Sequence, residues 1–140
     1  MKKLQVLLAE DNAGDVFLVQ EALRSHSVEH DLRLLKDGAE ASRYLQRMGI
    51  TPDIPFPDVF LVDLNLPSGD GHELVRIFRS HPECANVPVV VLTSSDATRD
   101  RVRAQELGVN AYFRKPSNLT DFLVLGEVVT QVVGMAGTAR

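Results

Sequence analysis

Residues 59–71, VFLVDLNLPSGDG, decide how the chain is read. Apolar and aromatic residues surround one acid, Asp63, and a turn-rich Pro-Ser-Gly-Asp-Gly follows. An acid at the end of a hydrophobic run adds little to packing. The carboxyl ends of buried strands, however, open onto the binding crevice of an α/β sheet. Asp63 therefore reads as a chemical group at a strand end.

Upstream, residues 49–58 (GITPDIPFPD) hold three prolines and cannot be regular structure. This loop is longer than usual for such a connection, and both an interface role and a tolerated surface insertion remain open. Residues 39–48 form a helix carrying Ala41, Tyr44, Leu45 and Met48 at helical spacing, preceded by the turn Asp37-Gly38 and a strand over 31–35. The first strand covers residues 4–9 (LQVLLA) and stops at Glu10-Asp11-Asn12. Gly14 and Asp15 then offer a turn and an N-cap to a helix with Val16, Val19 and Leu23 on one face.

Downstream, a helix over 71–79 turns Leu74, Ile77 and Phe78 inward. Residues 86–93 (NVPVVVLT) give a central parallel strand. A charged helix over 96–107 ends at Gly108, a C′ glycine, and residues 111–114 make a short strand before Lys115-Pro116. Asn118 caps a last helix from about 119 to 135, and residues 136–140 read as a frayed tail. There is no hairpin signal. The pattern is (βα)₅, which implies a parallel sheet with helices on both faces in one doubly wound α/β domain, 1–140, with its core at about 4–135.

Composition narrows the function. The formal charge of −4, from 19 acids against 15 Lys and Arg, offers no basic footprint for nucleic acid. No apolar run approaches a membrane span, and the N-terminus lacks the pattern of a signal peptide, so a cytoplasmic protein is expected. Cys84 is the one cysteine, which excludes an intrachain disulfide or a cysteine metal cage, and it reads as a surface thiol. His26, His30, His72 and His81 lack i, i+4 pairing and read as surface residues.

In a parallel sheet all strand ends share one edge. The first delivers Glu10 and Asp11, the third Asp63, the fourth Thr93 with Ser94, and the fifth Lys115. Each alone has an ordinary explanation; their joint placement does not. Three carboxylates in one crevice repel one another unless a cation joins them. Oxygen-only ligands select a hard ion, and a small site with few protein ligands suits Mg²⁺. Lys115 adds a charge for a phosphoryl oxygen, and the Thr93 hydroxyl can donate to another. Asp63 then reads as a carboxylate nucleophile that forms an aspartyl phosphate.

LLAEDN at the first strand, LVDLNLPSGDG at the third, VVVLTSS at the fourth and AYFRKP at the fifth resemble the receiver domain of two-component response regulators across nearly the whole chain. The resemblance implies a flavodoxin-like sheet of order 2-1-3-4-5. It implies that Asp63 is the phosphoacceptor for a sensor histidine kinase, that Asp11 binds Mg²⁺ directly, Glu10 through water and Asn65 through its carbonyl. Thr93 and Tyr112 would form the switch, Lys115 would pair with the phosphoryl group, and the Lys115–Pro116 bond would be cis. Glu10 stands where Asp is commoner, and Leu66 where many receivers carry Met. The EDN start, the Asp-Leu-Asn-Leu-Pro wording and the proline-rich loop resemble stand-alone receivers that partner bacterial and cyanobacterial phytochrome kinases. A receiver for a different kinase stays open.

Such a protein is no enzyme beyond its own phosphotransfer and autodephosphorylation. The chain ends after the last helix, so output is expected through the receiver's own surfaces. In that helix Leu119, Phe122, Val129 and Val133 are assigned to the core, and a second stripe of Leu125, Val128, Val132 and Met135 to a homodimer. Three rivals are weaker. A phosphohydrolase of the haloacid dehalogenase type needs an acid where Asn65 stands. A phosphorylation-independent adaptor need not keep Glu10, Asp11, Asp63, Thr93 and Lys115 together. A flavin binder would not put the acidic EDNAGD at a phosphate.

Overall fold

The computed structural model describes residues 3–138 of the chain, with side chains through Met135. Its strands and helices, in chain order, are β1 (Leu4–Ala9), α1 (Ala13–Ser25), β2 (His30–Leu35), α2 (Gly38–Arg47), β3 (Val59–Asp63), β4 (Asn65–Leu66), β5 (Gly69–Asp70), α3 (Gly71–Ser80), β6 (Val89–Thr93), α4 (Thr98–Glu106), β7 (Ala111–Arg114), α5 (Leu119–Phe122) and α6 (Val124–Thr138). Five strands pair in parallel in the order β2-β1-β3-β6-β7. This is the expected 2-1-3-4-5 sheet, with β6 and β7 as its fourth and fifth strands.

The period of two within each strand divides the core into two layers. Leu7, Ala9, Phe60, Val62, Val89 and Val91 face α2, α3 and α4. Val6, Leu8, Leu61, Val90 and Leu92 face α1, α5 and α6. β3 and β6 are buried along their whole length, which is why both read as continuous apolar runs. The helix starts are fixed by side chains: Asn12 accepts from the Asp15 amide, Asp37 from Glu40, Asp70 from His72 and Asn118 from Asp121. Among these is the expected Asn118 cap, whereas the α1 cap belongs to Asn12 and leaves the Asp15 carboxylate free for another role.

Several expectations are corrected. A small antiparallel hairpin, β4 with β5, follows Asp63. Its two-residue turn puts Pro67 at the first corner and Ser68 at φ 59°, a positive angle usually marked by glycine, which hid the hairpin in the sequence. Cys84 is buried, closing a 3₁₀ turn over Pro82–Cys84, and burial pushes its thiol up to about 11. His72 is buried as well, with its Nε2 3.2 Å from the Asp100 carbonyl oxygen. A polar local sequence does not report burial when the covering element comes from elsewhere in the chain. No cis peptide bond is present among the described residues, so Lys115–Pro116 is trans. The two isomers of a proline bond differ by only about 0.5–1 kcal/mol intrinsically, so tertiary context decides between them.

The last helix is divided at Leu123. Its core face is Phe122, Leu125, Val129 and Val132, not the set assigned from spacing: Leu125 and Val132 are buried, Leu119 is 53 % exposed and Val133 only partly covered. α6 runs to Thr138, and Ala139 and Arg140 of the expected tail lie outside the described residues. The proline-rich segment is a loop, as expected. It begins at Gly49, whose φ of +77° suits glycine and whose missing Cβ leaves room for the Phe56 ring. Phe56 then packs against the α2–α3 core layer and meets His81 edge-on at 5.7 Å.

Candidate functional site

The strand ends meet as the alternation predicted. Asp63 closes β3, Thr93 closes β6, Glu10 follows β1 and Lys115 follows β7. Sheet bonding continues into these positions and fixes them: the Glu10 amide donates to the Leu35 carbonyl at 3.0 Å, and the Lys115 amide to the Thr93 carbonyl at 2.8 Å. Behind Asp63, α3 begins so close that a Cβ on Gly71 would lie 2.5 Å from the Asp63 carbonyl oxygen. Only glycine lets the helix start there.

The Asp63 carboxylate is nearly buried and held at both oxygens. Oδ1 accepts the Asn65 amide at 2.9 Å and Oδ2 accepts Lys115 Nζ at 2.9 Å. Glu10 is fully buried. Its Oε1 accepts Lys115 at 2.7 Å, and its Oε2 accepts the amides of Asp11 and Asn12 at 3.1 and 3.3 Å. Asp11 is exposed at the mouth, and Glu10, Asp11 and Asp63 each offer an oxygen within 4.8 Å of the others. Asn65 is exposed beside them on β4.

The electrostatics follow from this crowding. The Glu10 pKa is raised to about 7: burial is the largest cause, the Lys115 hydrogen bond opposes it, and the Asp63 charge adds to it. Burial works against the charge of Lys115, but hydrogen bonds to Asp15, Glu10 and Asp63 outweigh it and hold the ammonium above its ordinary range. The donor set is all oxygen, hard and anionic, which fits a small divalent ion that keeps part of its water shell.

Thr93 is fully buried, and its Oγ1 accepts the Ser95 amide at 3.1 Å. Tyr112, on β7, is only partly buried. Its hydroxyl donates to the Ser95 carbonyl at 3.0 Å, and the Arg101 guanidinium lies 4.4 Å from its ring centroid. Thr93 and Tyr112 therefore meet the same residue, Ser95. Glu10, Asp11, Asp63, Asn65, Thr93 and Lys115 all lie at this edge of the sheet. One that was not singled out for chemistry also arrives: Asp15 Oδ2 accepts Lys115 Nζ at 2.7 Å across 100 positions of sequence.

Comparison with known proteins agrees with the geometry. Residues 6–125 match the response regulator receiver domain family. Response regulator Rcp1 of Synechocystis sp. is 41 % identical over 116 residues, covering 83 % of this chain and 79 % of Rcp1. The crystal structure of the Mn²⁺-bound form of Rcp1 superposes with a TM-score of 0.79 at 38 % identity, covering 91 % of this chain and 92 % of that one. That of the phosphorylated cyanobacterial phytochrome response regulator RcpA gives a TM-score of 0.81 at 35 % identity, covering 93 % of each chain. No helix among the described residues is long and apolar enough to cross a membrane.

Proposed function

Since the chain belongs to the response regulator receiver domain family, we propose that it takes a phosphoryl group from a sensor histidine kinase onto Asp63 in a Mg²⁺-dependent step. The carrying observation is the Asp63 carboxylate at the end of β3, 2.9 Å from Lys115 and grouped with Glu10 and Asp11. A carboxylate oxygen of Asp63 attacks phosphorus in line. The O–P bond forms as the N–P bond to the kinase imidazole breaks, and that nitrogen keeps the electron pair. Lys115 donates to the transferring oxygens, and the Thr93 hydroxyl turns from Ser95 to do the same.

Asp11 and Asp63 would hold the metal by carboxylate oxygens, Asn65 by its carbonyl, and Glu10 through water, its own oxygens being bonded already to Lys115 and the loop amides. When bound, Mg²⁺ neutralises charge that spreads over the transferring phosphoryl group. The relative Rcp1 with bound Mn²⁺ supports a divalent ion here, and phosphorylated RcpA supports phosphorylation. The likeness to both, one of them a phytochrome response regulator, favours a phytochrome kinase as partner over another histidine kinase.

Signalling then passes through Thr93 and Tyr112. Withdrawal of the Thr93 hydroxyl from the Ser95 amide frees the loop that also anchors the Tyr112 hydroxyl, and the ring can move inward. Incubation with Mg²⁺ and a small phosphodonor, followed by intact mass, tests the proposal. One phosphoryl adduct is expected, absent in Asp63→Asn and absent without Mg²⁺. An adduct that persists in Asp63→Asn overturns the assignment.

A further inference from the structure

Lys115 holds one carboxylate more than phosphotransfer to Asp63 calls for. An ammonium has three N–H donors. Here they go to Glu10 Oε1 and Asp15 Oδ2, each at 2.7 Å, and to Asp63 Oδ2 at 2.9 Å. The Asp15 carboxylate does not cap its own helix, because Asn12 supplies the side-chain cap of α1 and the Asp15 amide is what it receives. Nor does Asp15 stand in the cluster of Glu10, Asp11 and Asp63 that could hold a metal ion. Its only side-chain partner in the described residues is Lys115.

We propose that Asp15 is a positioning residue for phosphotransfer, gripping the Lys115 ammonium opposite Glu10 so that its third N–H points at Asp63. This inference rests on Asp63 being the phosphoacceptor. When Asp63 takes the phosphoryl group, the Lys115 donor that met its Oδ2 passes to a phosphoryl oxygen, and the other two donors stay where they are. A lysine head on four flexible carbons would otherwise lose rotamer freedom in the transition state. Glu10 and Asp15 remove that freedom beforehand, which is the usual form of electrostatic preorganisation. Asp15 also brings a negative charge that opposes an anionic donor. Its side chain is 24 % exposed, so solvent screens this repulsion, whereas the Lys115 side chain it touches is 13 % exposed and the contact is short. The direct bond outweighs the screened repulsion.

The test compares wild type, Asp15→Asn and Asp15→Glu by two measurements. The first is the rate of adduct formation at Asp63 with Mg²⁺ and a small phosphodonor. The second is the ¹⁵N-resolved resonance of the Lys115 ammonium in ¹⁵N-lysine-labelled protein, assigned by its absence from Lys115→Gln. Asp15→Asn is expected to lower the rate about tenfold, the scale of one charge-assisted hydrogen bond. It should also broaden or remove the ammonium resonance, which a held and shielded wild-type Lys115 gives sharply. Asp15→Glu, which can still reach Lys115, should recover most of both. An unchanged or faster rate in Asp15→Asn overturns the proposal. So does a slower rate with the resonance undisturbed, because Asp15 would then act other than through Lys115. A wild type that takes no phosphoryl group would instead sink the phosphoacceptor reading itself, which the first measurement shows before any variant is compared.

Discussion

At the scale of single residues, the site is built from charges that the fold makes costly. Glu10 is fully buried and carries a pKa raised from the usual 4.5 to about 7, burial being the largest cause. A carboxyl that prefers its proton in the folded state stabilises the fold fully below its ordinary pKa, and that stabilisation is lost as pH rises through about 7. The raised Lys115 contributes nothing to this window, because both folded and unfolded lysine are charged there. In EDTA, the free energy of unfolding should therefore fall by on the order of 3 kcal/mol between pH 4.5 and 7.5 through Glu10. Denaturant titrations across that range check it: Glu10→Gln should flatten the difference, and Mg²⁺ should suppress it in the wild type. A wild type and a Glu10→Gln variant with parallel pH profiles would contradict it. Glu10, Asp63, Thr93 and Lys115 were legible because each closes or follows an apolar run, so the sheet alone carries it to the edge. Asp15 was not, because it sits inside a plausible capping motif and its partner lies at the far end of the chain. Cys84 and His72 were misread for a related reason: both are short of apolar neighbours in sequence and acquire them only in space.

At the scale of elements, the helices differ in how firmly they are held. α3 buries Leu74, Val75 and Phe78 together with Gly71 and His72. α4 buries only Ala104, and is otherwise fastened by polar contacts at its edges. The buried His72 ring meets the Asp100 carbonyl, Arg103 Nη1 lies 3.1 Å from Asp70 Oδ2, and the Ser95 hydroxyl donates to Asp100 Oδ2 at 2.7 Å. Arg101, held by Asp96 at 2.7 Å, covers the ring of Tyr112. An element with little buried apolar surface opens locally before the rest of the fold. Hydrogen exchange should show α4 amides less protected than those of α3, and Arg101→Ala should lower α4 protection further while leaving β3 and β6 unchanged. Equal protection in α3 and α4 would remove this assignment. The helix pattern was legible from periodicity, and the start of the last helix from its Asn118 cap, whereas the α1 cap was placed at Asp15 instead of Asn12. The hairpin of β4 and β5 was not, because two-residue strands have no periodicity and Ser68 adopts a positive φ without announcing it.

At the scale of the whole molecule, the question is what covers the outer face of α6. This helix carries one charged side chain, Glu127, in its fifteen residues. Its inner face packs Leu125, Val129 and Val132 on the sheet, yet Val124 remains 46 % exposed and Met135 72 %, with Val128 partly covered between them. The spacing of 124, 128 and 135 places these on one stripe, so the exposed apolar surface is shifted from the stripe read in the sequence but still present. A stripe on one helix about 22 Å long is too small for a stable dimer, which buries roughly 1,200–2,000 Å² in total. The edge strand β7 touches both α6 and, through Tyr112, the Arg101 of α4, so a larger contact can be assembled around it. Val102, 46 % exposed on α4, adds an apolar group to that surface. A homodimer centred on α6 is therefore predicted to be concentration-dependent and to respond to α4, whose Arg101 covers Tyr112, the proposed switch residue. Sedimentation should show dimer at micromolar concentration, strengthened by a phosphoryl mimic, and Val124→Asp with Met135→Asp should return it to monomer without lowering the melting temperature. A monomer at those concentrations both with and without the mimic would rule the dimer out.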